Sequence, residues 1–288
     1  MKGFVLAGGT GSRLWPITQG TSKQLLSVYD KPLIHYPIST LMLAGVREIV
    51  LVTTPHDQPA FQKLLGDGSQ FGVTFHYEVQ PAPEGLAQVF TLCARHFEGQ
   101  KSAVILGDNL FHGPSLGTRL QKFAEIDGAQ IFGYHVADPE RYGVVEFDPD
   151  GTIRSIEEKP AAPKSNYAIT GLYFFDEDVL EIACSVKPSA RGELDLAPIH
   201  QEYLNRGKLH LEQLPRGTAW FDTGTVNSLH DATSYIRTIQ ERQGMKVACL
   251  EEIAFRNGWI SKSDLLDSAK KFAGSEYGSY LETVAHGI

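Results

Sequence analysis

The chain has 288 residues, 42% of them hydrophobic and 21% charged, and a formal net charge of −8 at pH 7. That length buries a full core in one large domain or two small ones, and the acidic balance argues against a nucleic-acid or anionic-membrane surface, which usually needs a basic face. No apolar leader precedes the first predicted strand and no run approaches the ~18 apolar residues of a membrane span, so a cytoplasmic protein is expected; Cys93, Cys184 and Cys249, odd in number and set in apolar patterns, read as buried thiols and not as a disulfide frame or zinc site.

Residues 3–7 form the first predicted strand, which opens into Gly8-Gly9-Thr10-Gly11-Ser12-Arg13. Gly8, Gly9 and Gly11 permit positive φ and close backbone approach, so successive N–H groups can converge on one oxyanion, and Arg13 adds a charge of fork geometry. Spacing separates the loop types. A P-loop needs Gly-x-x-x-x-Gly-Lys-Ser/Thr, but Arg13 stands five residues beyond Gly8. A dinucleotide fingerprint starting at Gly9 and Gly11 needs glycine or alanine where Leu14 stands, and its acidic residue would be Asp30, which sits in a Tyr-Asp-Lys-Pro turn. A glycine turn with no ligand stays open at this point.

Beyond Ser22-Lys23-Gln24-Leu25-Leu26, helical patterns at 33–43, 59–65, 86–97 and 116–126 alternate with strand patterns at 48–53, 73–77, 103–106 and 130–136. This alternation predicts an α/β fold with a Rossmann-like, mostly parallel sheet covered by helices on both faces. From Tyr142 the pattern changes to two alternating runs, 143–147 and 152–158, around Asp148-Pro-Asp-Gly, an antiparallel insertion. A strand at 168–175, helices near 177–184 and 196–205, an apolar run ending at Trp220-Phe-Asp-Thr-Gly, a helix near 228–241 and short helices from 242 onward complete the chain. Without repeats or linkers, 1–288 reads as one domain with sub-regions at 1–110 plus 215–241, 111–214 and 242–288.

Carboxylates follow two of the apolar runs, as Leu-Gly107-Asp108-Asn109 and as Trp220-Phe221-Asp222-Thr223-Gly224. Ligands of such sheets sit at the carboxyl ends of strands, and two aspartates there can share a hard divalent cation that also takes phosphate oxygens. Ordinary strand-end turns and helix N-caps use the same residues. Lys23 and Lys159, taken alone, are solvated charges.

The ordered motifs Leu-Ala-Gly-Gly-x-Gly-Ser-Arg-Leu, Ser-Lys-Gln-Leu-Leu, Tyr-Asp-Lys-Pro, Leu-Gly-Asp-Asn, Asp-Pro-Glu-Arg-Tyr-Gly-Val-Val, Glu-Glu-Lys-Pro, Lys-Ser-Asn-Tyr-Ala, Thr-Gly-Leu-Tyr and Trp-Phe-Asp-Thr-Gly resemble the sugar-phosphate nucleotidylyltransferases. The match runs from Lys2 to beyond Trp259 and is closest to the thymidylyltransferase branch. The resemblance implies transfer of a thymidylyl group from dTTP to α-D-glucose 1-phosphate with release of pyrophosphate, the first step toward dTDP-deoxysugars of the rhamnose type. It implies a Mg²⁺ held by Asp108 and Asp222, and departing phosphates bound by Arg13 and the backbone of Gly8, Gly9, Gly11 and Ser12, with Leu6 in the same nucleotide site. Lys23 would neutralise charge there. Gln24 and Gln80 would face the pyrimidine edge above the Gly85 loop, Lys159 would grip the sugar phosphate, and Asn109, Tyr142, Gly143, Glu158 and Ile169 would meet the hexose. Residues 251–259 resemble a helical portion that packs between subunits, implying a homotetramer with feedback by a dTDP-deoxysugar; the resemblance likewise makes 1–110 plus 215–241 the nucleotide-binding core, 111–214 the sugar-phosphate-binding part and 242–288 the helical assembly or regulatory segment.

Three departures from the family pattern stand out: Trp15 in place of histidine, Asp195-Leu-Ala-Pro198 after Gly192-Glu-Leu, and Val226-Asn227 after Asp-Thr-Gly-Thr. Pro198 suits a first helical turn, where its missing N–H costs little. UTP or GTP, or another hexose 1-phosphate, therefore stay open as substrates. A dinucleotide oxidoreductase is disfavoured by the glycine spacing, and a catalytically silent nucleotide-sugar sensor by the presence of both Asp108 and Asp222.

Overall fold

The computed structural model describes residues 1–9, 11–189 and 192–287. Its first strand, β1 (Lys2–Ala7), is buried on both faces, with Phe4 and Leu6 in one apolar cluster and Val5 and Ala7 in another. The hairpin β2 (Ser27–Val28) and β3 (Lys31–Pro32) leads into α1 (His35–Leu43) and then β4 (Glu48–Thr53). Ile49 and Leu51 share the Val5 face, Val50 and Val52 the Phe4 face. Burial on two faces is what a sheet covered by helices on each side demands. Helix α2 (Gln58–Leu65), β5 (Thr74–Val79), α3 (Gln88–Leu92), α4 (Ala94–Phe97) and β6 (Ser102–Leu106) follow. β1 pairs in parallel with β4 and β6, and β4 with β5. The four strands therefore end at one edge, where Gly8, Gln80 and Gly107-Asp108 come next in the chain.

The chain then runs through β7 (Asn109–His112), α5 (Leu116–Leu120), β8 (Ala129–His135), β9 (Gly143–Phe147), β10 (Ile153–Glu158), β11 (Tyr167–Phe175), α6 (Val179–Cys184), α7 (Ala197–Asn205), β12 (Leu209–Gln213) and β13 (Ala219–Asp222). β11 lies antiparallel beside β6 and is paired in turn with β8 and β9; β10 closes the hairpin on β9, and β12 pairs with β8. β7 and β13 form a separate antiparallel ladder. Helix α8 (Val226–Gln243) packs Ala232 and Ile236 with Val28, Leu33, Tyr36 and Leu110. The final helices α9 (Leu250–Arg256), α10 (Lys262–Lys271) and α11 (Glu276–Ala285) place Leu250, Ala254, Leu265, Leu281 and Val284 in the Val5 cluster. No helix among the described residues is long and apolar enough to cross a membrane.

The mixed α/β sheet with its parallel centre and antiparallel insertion matches the expectation from sequence, with local differences. The 130–136 run is not part of the parallel centre: β8 is antiparallel to β11, which comes between it and β6. A strand buried on both faces reads as the same apolar run in either direction. The 86–97 helix divides at Cys93, whose φ of −103° and ψ of 21° leave the helical region, and the 116–126 helix tightens into a 3₁₀ turn over Gln121–Glu125. Cys93 and Cys249 are buried as expected, but Cys184 is exposed on the last turn of α6. Pro198 does sit in the first turn of α7.

Candidate active site

The glycine loop is shaped by its neighbours. A Cβ at Gly8 would overlap Oε1 of Gln80, so at this position glycine is required for the loop and the Gln80 amide to lie together. Gly11 has φ +64° and starts the 3₁₀ turn Ser12–Leu14, whose buried Leu14 anchors it; the Thr18 hydroxyl donates to the Gly11 carbonyl at 2.7 Å. Arg13 is thereby turned outward. Its Nη1 and Asp222 Oδ2 each lie 3.8 Å from the point where a Cβ of Gly224 would stand, so the glycine loop and the end of β13 meet over that glycine. Trp15, next in the loop, is 59% exposed.

Asp108 is held from three sides. Lys23 Nζ forms an ion pair with its Oδ2, Asn109 Nδ2 donates to its Oδ1 at 2.9 Å, and its carbonyl accepts from the Thr223 N–H at 3.0 Å and the Thr223 hydroxyl at 2.8 Å. Lys23 reaches it because the 3₁₀ turn Lys23–Leu25 is pinned by the Ile34 N–H on the Gln24 carbonyl at 2.9 Å. Burial pushes the Asp108 carboxyl up, but the Lys23 ammonium and the Asn109 amide outweigh it and hold the group below its ordinary range.

The register of the small ladder sets Asp222 opposite Asn109, so the second carboxylate lies beside the first. Its environment works the other way: burial, joined by the nearby Asp108 charge, raises its carboxyl above the ordinary range despite the lowering effects of Arg141, Tyr142 and Arg13. The Tyr142 hydroxyl approaches Asp222 Oδ1 at 3.4 Å, and burial followed by the Asp222 charge pushes this phenol up to about 12. Beneath both carboxylates, Asn109 is 2% exposed, and its Oδ1 accepts from the Gly171 N–H at 3.1 Å and Trp220 Nε1 at 2.6 Å. One amide thus ties β7 to β11 and β13.

The residues expected on the hexose side gather at the amino end of β11. Gly143 is paired with Glu158 across the hairpin, and a Cβ on it would stand 3.1 Å from Glu158 Oε2 and 3.9 Å from Ile169. Lys159 takes φ +46°, a conformation uncommon outside glycine, donates its N–H to the Tyr142 carbonyl at 3.0 Å, and holds its half-exposed Nζ 3.6 Å from Glu158 Oε1. Tyr142 lies between the Trp220 ring, 5.3 Å away, and the Arg141 guanidinium, 5.4 Å from its centroid.

On the base side, Gln80 is 9% exposed and donates Nε2–H to Gln88 Oε1 at 2.7 Å. Gly85, with φ +113°, lies so close on the Leu194 backbone that a Cβ would collide with it. The Ala87 N–H donates to the Leu194 carbonyl at 2.8 Å, and the Leu194 N–H to the Glu84 carbonyl at 2.7 Å. Gln24 is 2% exposed and accepts from the Ser22 hydroxyl at 2.5 Å, and its Cγ would stand 3.2 Å from a Cβ on Gly107. Gln24 and Asn109 are therefore engaged inside the protein, whereas Arg13, Lys23, Asp108, Asp222 and Tyr142 neighbour one another, none of them fully buried. Leu6, 8% exposed, ends on the Phe4 face beneath the loop. Gly9 has open space where a Cβ would be, and Ser12 is exposed.

Among the described residues no group of three or more His, Cys, Asp or Glu side chains forms a cation cage. The pair Asp108 and Asp222 nevertheless suits Mg²⁺, which usually takes one or two carboxylates and completes its shell with water and substrate phosphates. The rise at Asp222 caused in part by Asp108 is the unfavourable like-charge contact that a divalent ion would relieve. Arg141, Trp220 and Thr223 stand inside the quoted motifs and Gln88 ends the Gly85 loop, but sequence assigns none of these side chains a role; for Arg141 and Trp220 it emerges only once Tyr142 and Asn109 are seen to need partners.

A family model described as nucleotidyl transferase matches residues 2–239. A glucose-1-phosphate thymidylyltransferase of Mycobacterium tuberculosis is 55% identical over 281 residues, 98% of each chain, and one of Xanthomonas campestris is 54% identical over 285 residues, 99% of this chain and 97% of its own. Among solved structures, a Bacillus anthracis protein crystallised with sucrose and assigned to the glucose-1-phosphate thymidylyltransferases superposes with TM-score 0.76 at 40% identity, over 82% of this chain and 95% of that one. A UDP-glucose pyrophosphorylase complexed with UDP-glucose shares the fold, with TM-score 0.73 at 24% identity over 83% of this chain and 98% of its own.

Proposed function

The chain belongs to the nucleotidyl transferase family, and we infer that it transfers a thymidylyl group from dTTP to α-D-glucose 1-phosphate, giving dTDP-glucose and pyrophosphate. The observation that carries this reading is the meeting of Arg13, the Lys23–Asp108 pair and Asp222 at the end of the glycine loop, in a chain so similar to enzymes of that name. A sugar-phosphate oxygen is already anionic, so its attack on the α-phosphorus needs no protein nucleophile; it needs in-line placement and relief of anion–anion repulsion. The new P–O bond forms as the α–β bridging bond breaks, and pyrophosphate leaves with the bridging oxygen.

Arg13 and the backbone of Gly8, Gly9, Gly11 and Ser12 bind the departing phosphates, and Lys23 spreads positive charge toward them. Asp108 and Asp222 would hold Mg²⁺, which when bound polarises the α-phosphate and screens its charge. Lys159 grips the sugar phosphate; Tyr142, Gly143, Glu158 and Ile169 line the hexose side, with Asn109 as the floor. Gln80, Gln24, Leu6 and the Gly85 loop form the base side. The Leu194 contacts put the departing segment from Gly192 to Pro198 behind that loop, so its changes bear on base affinity.

Pyrophosphate release with dTTP, UTP, GTP or CTP crossed with glucose, galactose or mannose 1-phosphate tests the reading. Preference for dTTP with glucose 1-phosphate is expected; another preferred pair moves the specificity and keeps the mechanism. EDTA is expected to abolish turnover and Mg²⁺ to restore it. For Lys159→Ala, the KM for glucose 1-phosphate is expected to rise at least about tenfold, given the worth of a charged hydrogen bond, with the KM for dTTP little changed. Equal losses for both substrates would remove its role. A cytoplasmic homotetramer under feedback from a dTDP-deoxysugar completes the proposal, with the helical segment after 241 at its contacts and the product entering deoxysugar synthesis of the rhamnose type. Light scattering after size exclusion that gives a monomer at micromolar concentration would remove the assembly.

A further inference from the structure

Resting on the reading of Gln80 as the amide that meets the base, we infer that Glu84 and Gln88 are positioning residues that fix which face of that amide is presented, and so select a base edge carrying a ring N–H. The observations form a directed chain. Gln88 Nε2 donates to Glu84 Oε2 at 2.8 Å, and Gln80 Nε2 donates to Gln88 Oε1 at 2.7 Å. Each amide taken alone could be turned over, exchanging oxygen for nitrogen. The carboxylate at the end of the chain removes that freedom, because it only accepts. Gln88 must then turn its NH₂ to Glu84 and its carbonyl to Gln80, and Gln80 must turn its NH₂ to Gln88. What remains is Oε1 of Gln80, an acceptor lying on the glycine-loop side over Gly8, together with the second N–H of Nε2.

The backbone holds the far end of the relay in place. The Glu84 carbonyl accepts from the Leu194 N–H at 2.7 Å, its N–H is shared between the Ala82 carbonyl at 3.0 Å and, more weakly, Gln88 Oε1 at 3.4 Å, which favours the same orientation, and Gln88 begins α3. Gln80 is nine-tenths buried whereas Glu84 is exposed, so an orientation set by a solvated carboxylate is passed to an amide with little water of its own. An acceptor set at the ring nitrogen, with the remaining N–H set at the neighbouring exocyclic group, suits thymine and uracil, whose N3 donates and O4 accepts, and opposes cytosine, whose N3 accepts and N4 donates. The relay therefore acts on base choice and leaves the sugar alone.

Calorimetric binding of dTTP and of CTP, each with Mg²⁺, to the full-length chain and to Glu84→Gln and Gln88→Met tests this. Glu84→Gln keeps the shape and loses the one-way acceptor; Gln88→Met keeps the bulk and loses the link. The wild-type chain is expected to prefer dTTP, and the ratio of CTP Kd to dTTP Kd is expected to fall about tenfold in each variant, the scale of one misdirected hydrogen bond, with the KM for glucose 1-phosphate unchanged. Parallel weakening of both nucleotides, with the ratio kept, would mean that these side chains only pack, and would overturn the relay. A ratio unmoved in both variants of a discriminating wild type overturns it as well. A wild-type chain that binds dTTP and CTP alike would instead overturn the base assignment, and the relay with it.

Discussion

Asp222→Asn is expected to lower turnover on the order of 10³-fold, the scale of losing a preorganised electrostatic group, and at the same time to raise the Tm of the metal-free protein at neutral pH. The two effects share one cause. Burial raises the Asp222 carboxyl, and Asp108 adds to the rise, so the folded state binds its proton more tightly than the unfolded chain does. Above the raised pKa the native protein carries a carboxylate that destabilises it; as pH falls through the raised value toward the ordinary 3.8 that penalty disappears. Asparagine removes the charge and can still face Tyr142. The Tm gap between variant and wild type should therefore be fully open at neutral pH and close on acidification, in EDTA throughout. Lost activity with a lowered Tm would mean damaged packing, and near-normal activity would reject Asp222 as a metal ligand.

Lys23→Met is expected to reduce both activity and stability. Here the partner, Asp108, has a lowered carboxyl, because Lys23 and Asn109 outweigh its burial. A lowered folded-state pKa contributes stability above the ordinary carboxylate range and loses it as pH falls through the folded value. Without the ammonium, Asp108 is left with its desolvation, and the loss at neutral pH should be roughly 1–3 kcal/mol, less than for a fully buried pair because both side chains reach solvent. Their side-chain exposures are 12% and 20%. Chemical denaturation of Lys23→Met, Asp108→Asn and the double variant checks this: the double variant should be more stable than the sum of the single losses predicts. Strict additivity would mean that the pair does not interact. Turnover of Lys23→Met should fall on the order of 10²–10³-fold, and the stability deficit should shrink in acid, opposite in sign to the effect at Asp222.

Legibility followed the range of the interactions. The parallel strands announced themselves because burial on both faces makes each a continuous apolar run, as at Phe4-Val5-Leu6-Ala7, and the β9–β10 hairpin did so through Asp148-Pro-Asp-Gly. Asp108 and Asp222 were visible because each ends such a run. The β7–β13 ladder was not, since strands of four residues carry too little periodicity to separate from a turn. Direction was hidden too: nothing local in β8 says that β11 would come between it and β6. Gln24 and Asn109 were legible as polar residues near the site, but their burial depends on partners distant in sequence, Gly107 against Gln24 and Trp220 over Asn109. Arg141 lies within a recognised motif, but its action on Asp222, 81 positions on, depends on a contact that no local pattern encodes.

The small ladder also orders events during synthesis. Thr223, which bonds the Asp108 carbonyl, follows it by 115 positions, and long-range strand pairing of this kind forms late. A nascent chain that has emerged as far as β12 already holds the glycine loop, Lys23, Asp108 and the base shelf, but has a single carboxylate. The two carboxylates proposed to share the metal can therefore meet only after β13 has been made and paired with β7.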